Sequence, residues 1–225
     1  MYRAIVVDFD GTLLDSFTFS LKFLERLAEQ NDLVFTPEIR KRIVHTWGEV
    51  GTKLLQDAFD INEERAKHMY LMWERTELGD QIPFIEGSHK ALEWLYNNGF
   101  ALCMLTSRRR ETLIPLLERA QLQKFFMHIT AHEDSDYHKP DPRAFADILK
   151  TLARWQVTEK ECLFVGDTFV DMEAGKNAGI KTIVVETGPY RREHFRAHLV
   201  PENSIIASIK YLPAWIESTQ KSYGD

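Results

Sequence analysis

Cysteine is nearly missing from this sequence, with two among 225 residues, Cys103 and Cys162. Both sit in apolar strand-like runs and they form no CxxC pair. They read as buried, inert thiols in a reducing compartment rather than a disulfide or a metal site. No apolar run approaches the ~20 residues that a membrane helix needs, so no membrane partner is expected. A basic balance of charge is also lacking. A net charge of −6 argues against a nucleic-acid footprint, which would be basic. Met1-Tyr2-Arg3 runs into a short apolar strand that ends in acids, which is not the form of a signal peptide, and a cytoplasmic protein is expected. Internal repeats and low-complexity segments are absent. What is present is an ordinary globular composition, 44% hydrophobic and 28% charged, long enough for one large domain or one domain with a small insertion.

Short apolar runs alternate with helix-length amphipathic stretches, the pattern of a parallel sheet covered on both faces. Strands are expected at 4–7, 101–105, 128–131, 163–165 and 182–185, each apolar nearly throughout. Helices are expected near 87–98, 111–121, 142–154 and 170–178, with Asn98-Gly99 and Ala178-Gly179 as stops. Residues 16–82 break the alternation. They show helical periodicity only, with Thr36-Pro37 as a helix start. That interval is too long for a simple crossover and reads as a helical insertion. The expected division is a core of 1–15 and 83–225 with an insert of 16–82. The end, 218–225, is expected to fray.

Asp8-Phe9-Asp10-Gly11-Thr12-Leu13-Leu14-Asp15-Ser16 follows the first strand, where open α/β sheets place their ligand crevice. Two carboxylates two residues apart, then a glycine that permits a sharp turn, suit an active-site turn better than a strand. Gly166-Asp167-Thr168-Phe169-Val170-Asp171 follows the fourth expected strand and brings two more acids to the same edge. A helix N-cap would explain Asp167 or Thr168, but not the whole set. Four acids at one crevice need a cation, and hard oxygen ligands without a matching Cys or His cluster select Mg²⁺ over zinc. Lys139 stands at a strand-to-helix junction beside Pro140. Thr106-Ser107, at the end of the second strand, could meet an anion or simply cap a helix.

These four pieces, in order, resemble the haloacid dehalogenase-like hydrolase superfamily, closest to its phosphoglycolate phosphatase and β-phosphoglucomutase branch. The resemblance implies a Rossmann-like α/β core with an inserted α-helical cap, and a Mg²⁺-dependent phosphatase acting on a small phosphorylated metabolite through an aspartyl-phosphate. Carried onto this chain, it implies Asp8 as nucleophile and metal ligand, and Asp10 as general acid and base with its carbonyl on the metal. Thr106, Ser107 and Lys139 would hold phosphoryl oxygens, Asp167 would bind the metal, and Asp171 would support the metal's waters and Lys139. An aspartate at position 10 disfavours the dehalogenase and phosphonate-cleaving branches. Thr12, where mutases usually carry valine, favours a phosphatase.

A β-phosphoglucomutase-like phosphomutase stays as the alternative, and a non-catalytic phospho-binding module as a more distant one. Monomer and homodimer are both open. His128, His132 and His138 span a strand and a loop and read as scattered histidines, as do His194 and His198. Arg108-Arg109-Arg110 reads as a solvated helix start from which one arginine could reach an anionic substrate. Trp47, Gly48 and Gly51 mark either a helix junction or a close approach to the active site.

Overall fold

The computed structural model describes residues 1–79 and 82–221. In chain order the elements are β1 (Ala4–Val7), α1 (Ser16–Gln30), α2 (Pro37–Thr46), α3 (Gly51–Phe59), α4 (Glu63–Gly79), α5 (Ser88–Asn97), β2 (Ala101–Leu105) and α6 (Arg110–Arg119). There follow β3 (His128–Thr130), α7 (Ala146–Ala153), β4 (Cys162–Gly166), α8 (Phe169–Asn177), β5 (Lys181–Val185), α9 (Arg192–Ala197), β6 (Ile205–Ile206) and α10 (Leu212–Lys221). The strands form one six-stranded parallel sheet in the order β3-β2-β1-β4-β5-β6. This is the parallel sheet, covered on both faces, that the apolar alternation predicts, and the Rossmann-like core that the resemblance implies.

The strands are apolar throughout because both of their faces are covered. In β1, Ile5 and Val7 join Leu92, Leu95, Leu113 and Leu117 from α5 and α6. Ala4 and Val6 point the other way, onto Phe145, Ile148 and Leu152. Each side of a fully buried strand thus contributes, at ~25 cal/mol per Å² of apolar surface removed from water. Cys103 and Cys162 are buried and free, and burial pushes both thiols up to about 12, as befits inert core residues.

The order reverses at β1, since β2 lies on one side of it and β4 on the other. Parallel strands carry all their C-terminal ends to one edge, and the crevice opens where the winding changes direction. The segments after β1, β2 and β4 therefore meet at one place.

Helices α1 to α4 occupy the expected insertion and carry an apolar cluster of their own, including Leu24, Leu27, Ile43, Leu55, Met69 and Trp73. The chain leaves and re-enters at one point, because Ile85 N–H donates to Leu13 O at 2.7 Å and Asp15 N–H to Pro83 O at 2.9 Å. Ile82 packs with the sheet's cluster, and residues 80 and 81, inside the expected insert, lie outside the described residues. Thr36 caps α2 by accepting from Ile39 N–H at 3.2 Å, with Pro37 in the first turn.

Two expectations need correction, and a third falls partly outside the described residues. The helix expected over 142–154 begins as a 3-10 turn at Pro142–Phe145, where Asp141 caps Arg143 N–H, and only then becomes α7. β6, a two-residue edge strand, was not expected at all; its register exists only against β5. Of the expected frayed end, 218–221 belong to α10, held by Leu212 and Ile216 in the core, and 222–225 lie outside the described residues.

Candidate active site

Asp8 leaves β1 with its N–H on Val165 O at 2.8 Å, so its carboxylate is fixed against the neighbouring strand. Asp167 leaves β4 one strand away, and Asp171 sits in the first turn of α8. Oxygens of these three buried carboxylates lie within 4.8 Å of one another. Thr168 is the N-cap of α8, and Asp171 completes a capping box, so the helix-cap reading of this motif is true as well. Capping is what aims Asp171. Its Oδ2 accepts from Asp167 N–H, Thr168 N–H and the Thr168 hydroxyl at 3.2, 3.0 and 2.6 Å.

Lys139 closes the group. Its ammonium lies 2.6 Å from Asp171 Oδ1 and 3.0 Å from Asp8 Oδ1, and its side chain is 2% exposed. The loop that delivers it is held where Asn177 donates to Pro140 O at 3.1 Å. An exposed surface lysine is therefore excluded. Burial alone would depress Lys139, but Asp171 and Asp8 outweigh it and hold the ammonium above its ordinary range. Burial raises Asp8 to about 7 despite the opposing charge of Lys139. Asp167 is raised as well, by burial first and by Asp171 and Asp8 next.

Asp167 has one oxygen within 3.5 Å of the Thr12 hydroxyl, while its Oδ2 is buried with no hydrogen-bond partner. The space around that oxygen exists because two glycines stand there. A Cβ on Gly11 would lie 2.0 Å from Asp167 Oδ2, and one on Gly188 would lie 1.8 Å from it. An orphaned carboxylate oxygen, in a glycine cradle beside two further carboxylates, is the donor set of a hard divalent cation. Asp8 and Asp167, raised by burial first and by neighbouring carboxylates after it, fit the same ion.

Gly11 combines this approach with a left-handed backbone, φ +72°. Gly11→Ala is expected to lose about 2 kcal/mol or more of stability, from the backbone strain and the clash together. Gly99 is the control, because it has φ +80° and nothing within 4 Å of its missing Cβ. Urea unfolding of both alanine variants separates the two contributions. Equal losses would mean that the approach to Asp167 costs nothing.

Thr106 ends β2 with its N–H on Thr130 O, and its hydroxyl accepts from Arg108 N–H at 3.1 Å. It lines the cavity with Asp8 and Lys139. Ser107 lines it too, but its hydroxyl donates to Gly48 O of the helical insert at 3.0 Å. A simple helix cap is not what this pair makes, because α6 starts only after Arg109.

Asp10 stands apart from the three converging carboxylates. Both its oxygens accept from Arg108, Oδ2 from Nε at 2.9 Å and Oδ1 from a terminal nitrogen at 2.6 Å. Arg108 is buried, not solvated as its place in an arginine triplet suggested. Arg109 instead ties the core to the insert through Glu74 at 2.9 Å.

The cavity of about 60 Å³ lies between these residues and the insert, walled by Trp47, Gly48, Leu54, Tyr70 and Trp73. Gly48, at φ +96°, lies in the break between α2 and α3, so the Trp47-Gly48-Gly51 stretch is both a helix junction and a wall of the site. The histidines stay outside it. His132 stacks on His138 at 4.3 Å, His128 faces Thr130 and Thr151, and His194 and His198 bond backbone groups of α9 and its N-terminal turn. Sequence reasoning missed Gly188 and left Arg108 without a role. Gly188 follows β5 as Gly11 follows β1, a signal that only the sheet order makes legible.

Residues 5–185 match the family described as haloacid dehalogenase-like hydrolase. The chain is 28% identical over 195 residues to pyrophosphatase PpaX of Listeria welshimeri, across 84% of this chain and 86% of that protein. It is 27% identical over 203 residues to a phosphoglycolate phosphatase of Pseudomonas fluorescens, across 83% and 70%. The crystal structure of a hydrolase from Pseudomonas syringae superimposes with a TM-score of 0.78 at 22% identity, over 96% of this chain and 98% of that one, a likeness of fold.

Proposed function

This chain belongs to the haloacid dehalogenase-like hydrolase family, and we propose that it is a Mg²⁺-dependent phosphatase that hydrolyses a small phosphate monoester through an aspartyl-phosphate on Asp8. The observation that carries this reading is the orphaned Asp167 oxygen in its glycine cradle, beside a nucleophile candidate that is itself held by a buried lysine. Asp8, Asp167 and the backbone carbonyl of Asp10 would hold the ion. Asp171 has both oxygens committed and acts as a positioning residue for Lys139. When bound, Mg²⁺ would supply positive charge that offsets repulsion between a carboxylate and a phosphate dianion.

Asp8 attacks phosphorus through one carboxylate oxygen, and the bond from phosphorus to the ester oxygen breaks. Asp10 gives its proton to the departing oxygen. In the second step Asp10 takes a proton from water, water oxygen bonds to phosphorus, and the bond to Asp8 breaks to free inorganic phosphate. Lys139 and Thr106, which line the cavity with Asp8, would hold the phosphoryl oxygens. Helices α1 to α4, within 16–82, serve as a cap that excludes water and limits substrate size. Its contacts across to the core support this, namely Ser107 to Gly48 O, Arg109 to Glu74, and the Tyr190 hydroxyl to Val44 O at 2.8 Å. A cavity of about 60 Å³ admits a compact substrate.

Phosphate release from a panel of phosphometabolites is expected to require Mg²⁺ and to stop with EDTA, and full turnover in a chelated sample would overturn the mechanism. Thermal stabilisation by Mg²⁺ should shrink as pH falls from 8 to 5. The folded pKa of Asp8 is raised to about 7 and that of Asp167 is raised too, so protons compete with the ion in that window. A pH-independent shift in melting temperature would place the ion elsewhere. A mutase would return a phosphorylated isomer and no free phosphate.

A further inference from the structure

The two walls of the active-site cavity differ in charge. Among the described residues its lining cations are Arg108 and Lys139, both from the core, and core carboxylates hold them: Asp10 on Arg108, Asp8 and Asp171 on Lys139. The opposite wall comes from the helical insert. It supplies Trp47, Glu49, Leu54, Tyr70 and Trp73 together with small residues, and no lysine or arginine among the described residues. A leaving group with a second negative charge would meet a carboxylate and aromatic rings on that wall, and no cation.

Glu49 stands in the junction between α2 and α3, and the core pins that junction. Ser107 donates to Gly48 O at 3.0 Å, the Tyr190 hydroxyl donates to Val44 O at 2.8 Å, and a Cβ on Gly48 would lie 2.8 Å from Thr168 Oγ1. Glu49 N–H itself donates to Thr46 O at 3.1 Å. Lys53, one turn further on and 60% exposed, lies 2.5 Å from Glu49 Oε2. An ion pair so open to solvent contributes little, and a carboxylate has lone pairs for a second cation. On the same wall the Trp47 and Trp73 rings lie 5.8 Å apart at 42°, and the Tyr70 and Trp73 rings 5.8 Å apart at 89°. Rings set at such angles offer π surface from more than one direction, and π surface attracts cations. We propose that Glu49 is a specificity-determining residue whose carboxylate, with these rings, receives an ammonium group of the substrate. The substrate is then a phosphate monoester of a short amino alcohol, with its nitrogen about two carbons from the ester oxygen. Its dianionic end faces the core cations and its cationic end faces the insert. This proposal rests on the phosphatase reading and names the leaving group of that reaction.

The test compares kcat/KM for phosphate release with Mg²⁺ at neutral pH from O-phosphoethanolamine, propyl phosphate and 2-phosphoglycolate, whose leaving groups are cationic, neutral and anionic. The wild type is expected to prefer phosphoethanolamine to propyl phosphate by about thirtyfold, and propyl phosphate to phosphoglycolate by about tenfold. Glu49→Gln is expected to reduce each preference to about threefold or less. The intrinsic reactivities of the esters are common to both proteins, so the change in each ratio reads Glu49. A wild type that favours phosphoglycolate, or does not distinguish phosphoethanolamine from propyl phosphate, overturns the proposal. So do preferences that persist undiminished in Glu49→Gln. Should that variant fail to fold, 3-aminopropylphosphonate and butylphosphonate are compared as inhibitors of wild-type aryl phosphate turnover. The amine is expected to bind about tenfold more tightly, and equal or weaker inhibition by it overturns the proposal. Release from propyl or aryl phosphate, without a preference for the ammonium, sinks the role of Glu49 alone. Release from none of these substrates sinks the phosphatase reading and this proposal with it.

Discussion

Asp8→Asn is expected to abolish turnover, by a factor on the order of 10⁴ or more, and to yield no phosphoenzyme from any substrate. An amide oxygen in place of the carboxylate keeps the shape of the site but cannot form the bond to phosphorus. The loss should not come from unfolding. The folded pKa of Asp8 is raised, so the stability it contributes is complete below its unfolded value and is lost as pH rises through about 7. At pH 8 the ionised Asp8 is therefore a burden that the asparagine removes, and the metal-free variant should melt no lower than the wild type. Asp10→Asn is the companion experiment. It leaves the nucleophile and removes the base, a deficit of about 10²–10⁴ for the hydrolytic step. With an aryl phosphate, whose leaving group departs without protonation, this variant should show a burst and then a slow steady state. Mass spectrometry after acid quench should find the added phosphoryl group on the peptide that holds position 8. A label on another residue, or one formed equally well in Asp8→Asn, would show that the nucleophile lies elsewhere.

Lys139→Ala is expected to be both inactive and unstable. A surface lysine could be removed for less than about 0.5 kcal/mol. Lys139 instead lies buried between Asp8 and Asp171, beside Asp167, and its removal leaves three carboxylates without their counter-charge. Breaking a buried pair in this way costs about 3–5 kcal/mol. The deficit should shrink below about pH 7, because the exposed alternative for these acids is to take up protons, and it should shrink again when Mg²⁺ is added at pH 8. Turnover should fall on the order of 10²–10³-fold even in the folded, metal-loaded variant, since the ammonium also offsets charge on the transferring group. Urea midpoints at pH 5 and 8, with and without Mg²⁺, read the stability; a midpoint unchanged at both pH values would contradict the buried pairing.

Much of the site was legible before any coordinates. Asp8, Asp10, Asp167 and Asp171 announce themselves because each pair stands directly after an apolar run, and parallel strands must deliver their ends to one edge. The helical character of 16–82 was legible from period alone, since it shows no strand pattern, and the helices found there keep their own apolar cluster. Lys139 was marked by its junction, although only its burial separates it from a solvated lysine. The arginine triplet was ambiguous for a physical reason. Arg109 and Arg110 make partly exposed ion pairs with Glu133 and Asp134, as a helix start commonly does, and Arg108 differs only in what lies 98 residues away.

The amino-acid sequence alone determined the class of fold, the two acidic turns and their edge of the sheet, because strand burial and strand-end chemistry are written in consecutive residues. Only the tertiary structure decided which partners those residues meet. The Arg108–Asp10 pair, the Gly11 and Gly188 cradle around Asp167, the side chains of 16–82 walling the cavity and the β6 register all join positions far apart in the chain. Such contacts leave no periodicity in one sequence, since each depends on the winding that brings separate strand ends together.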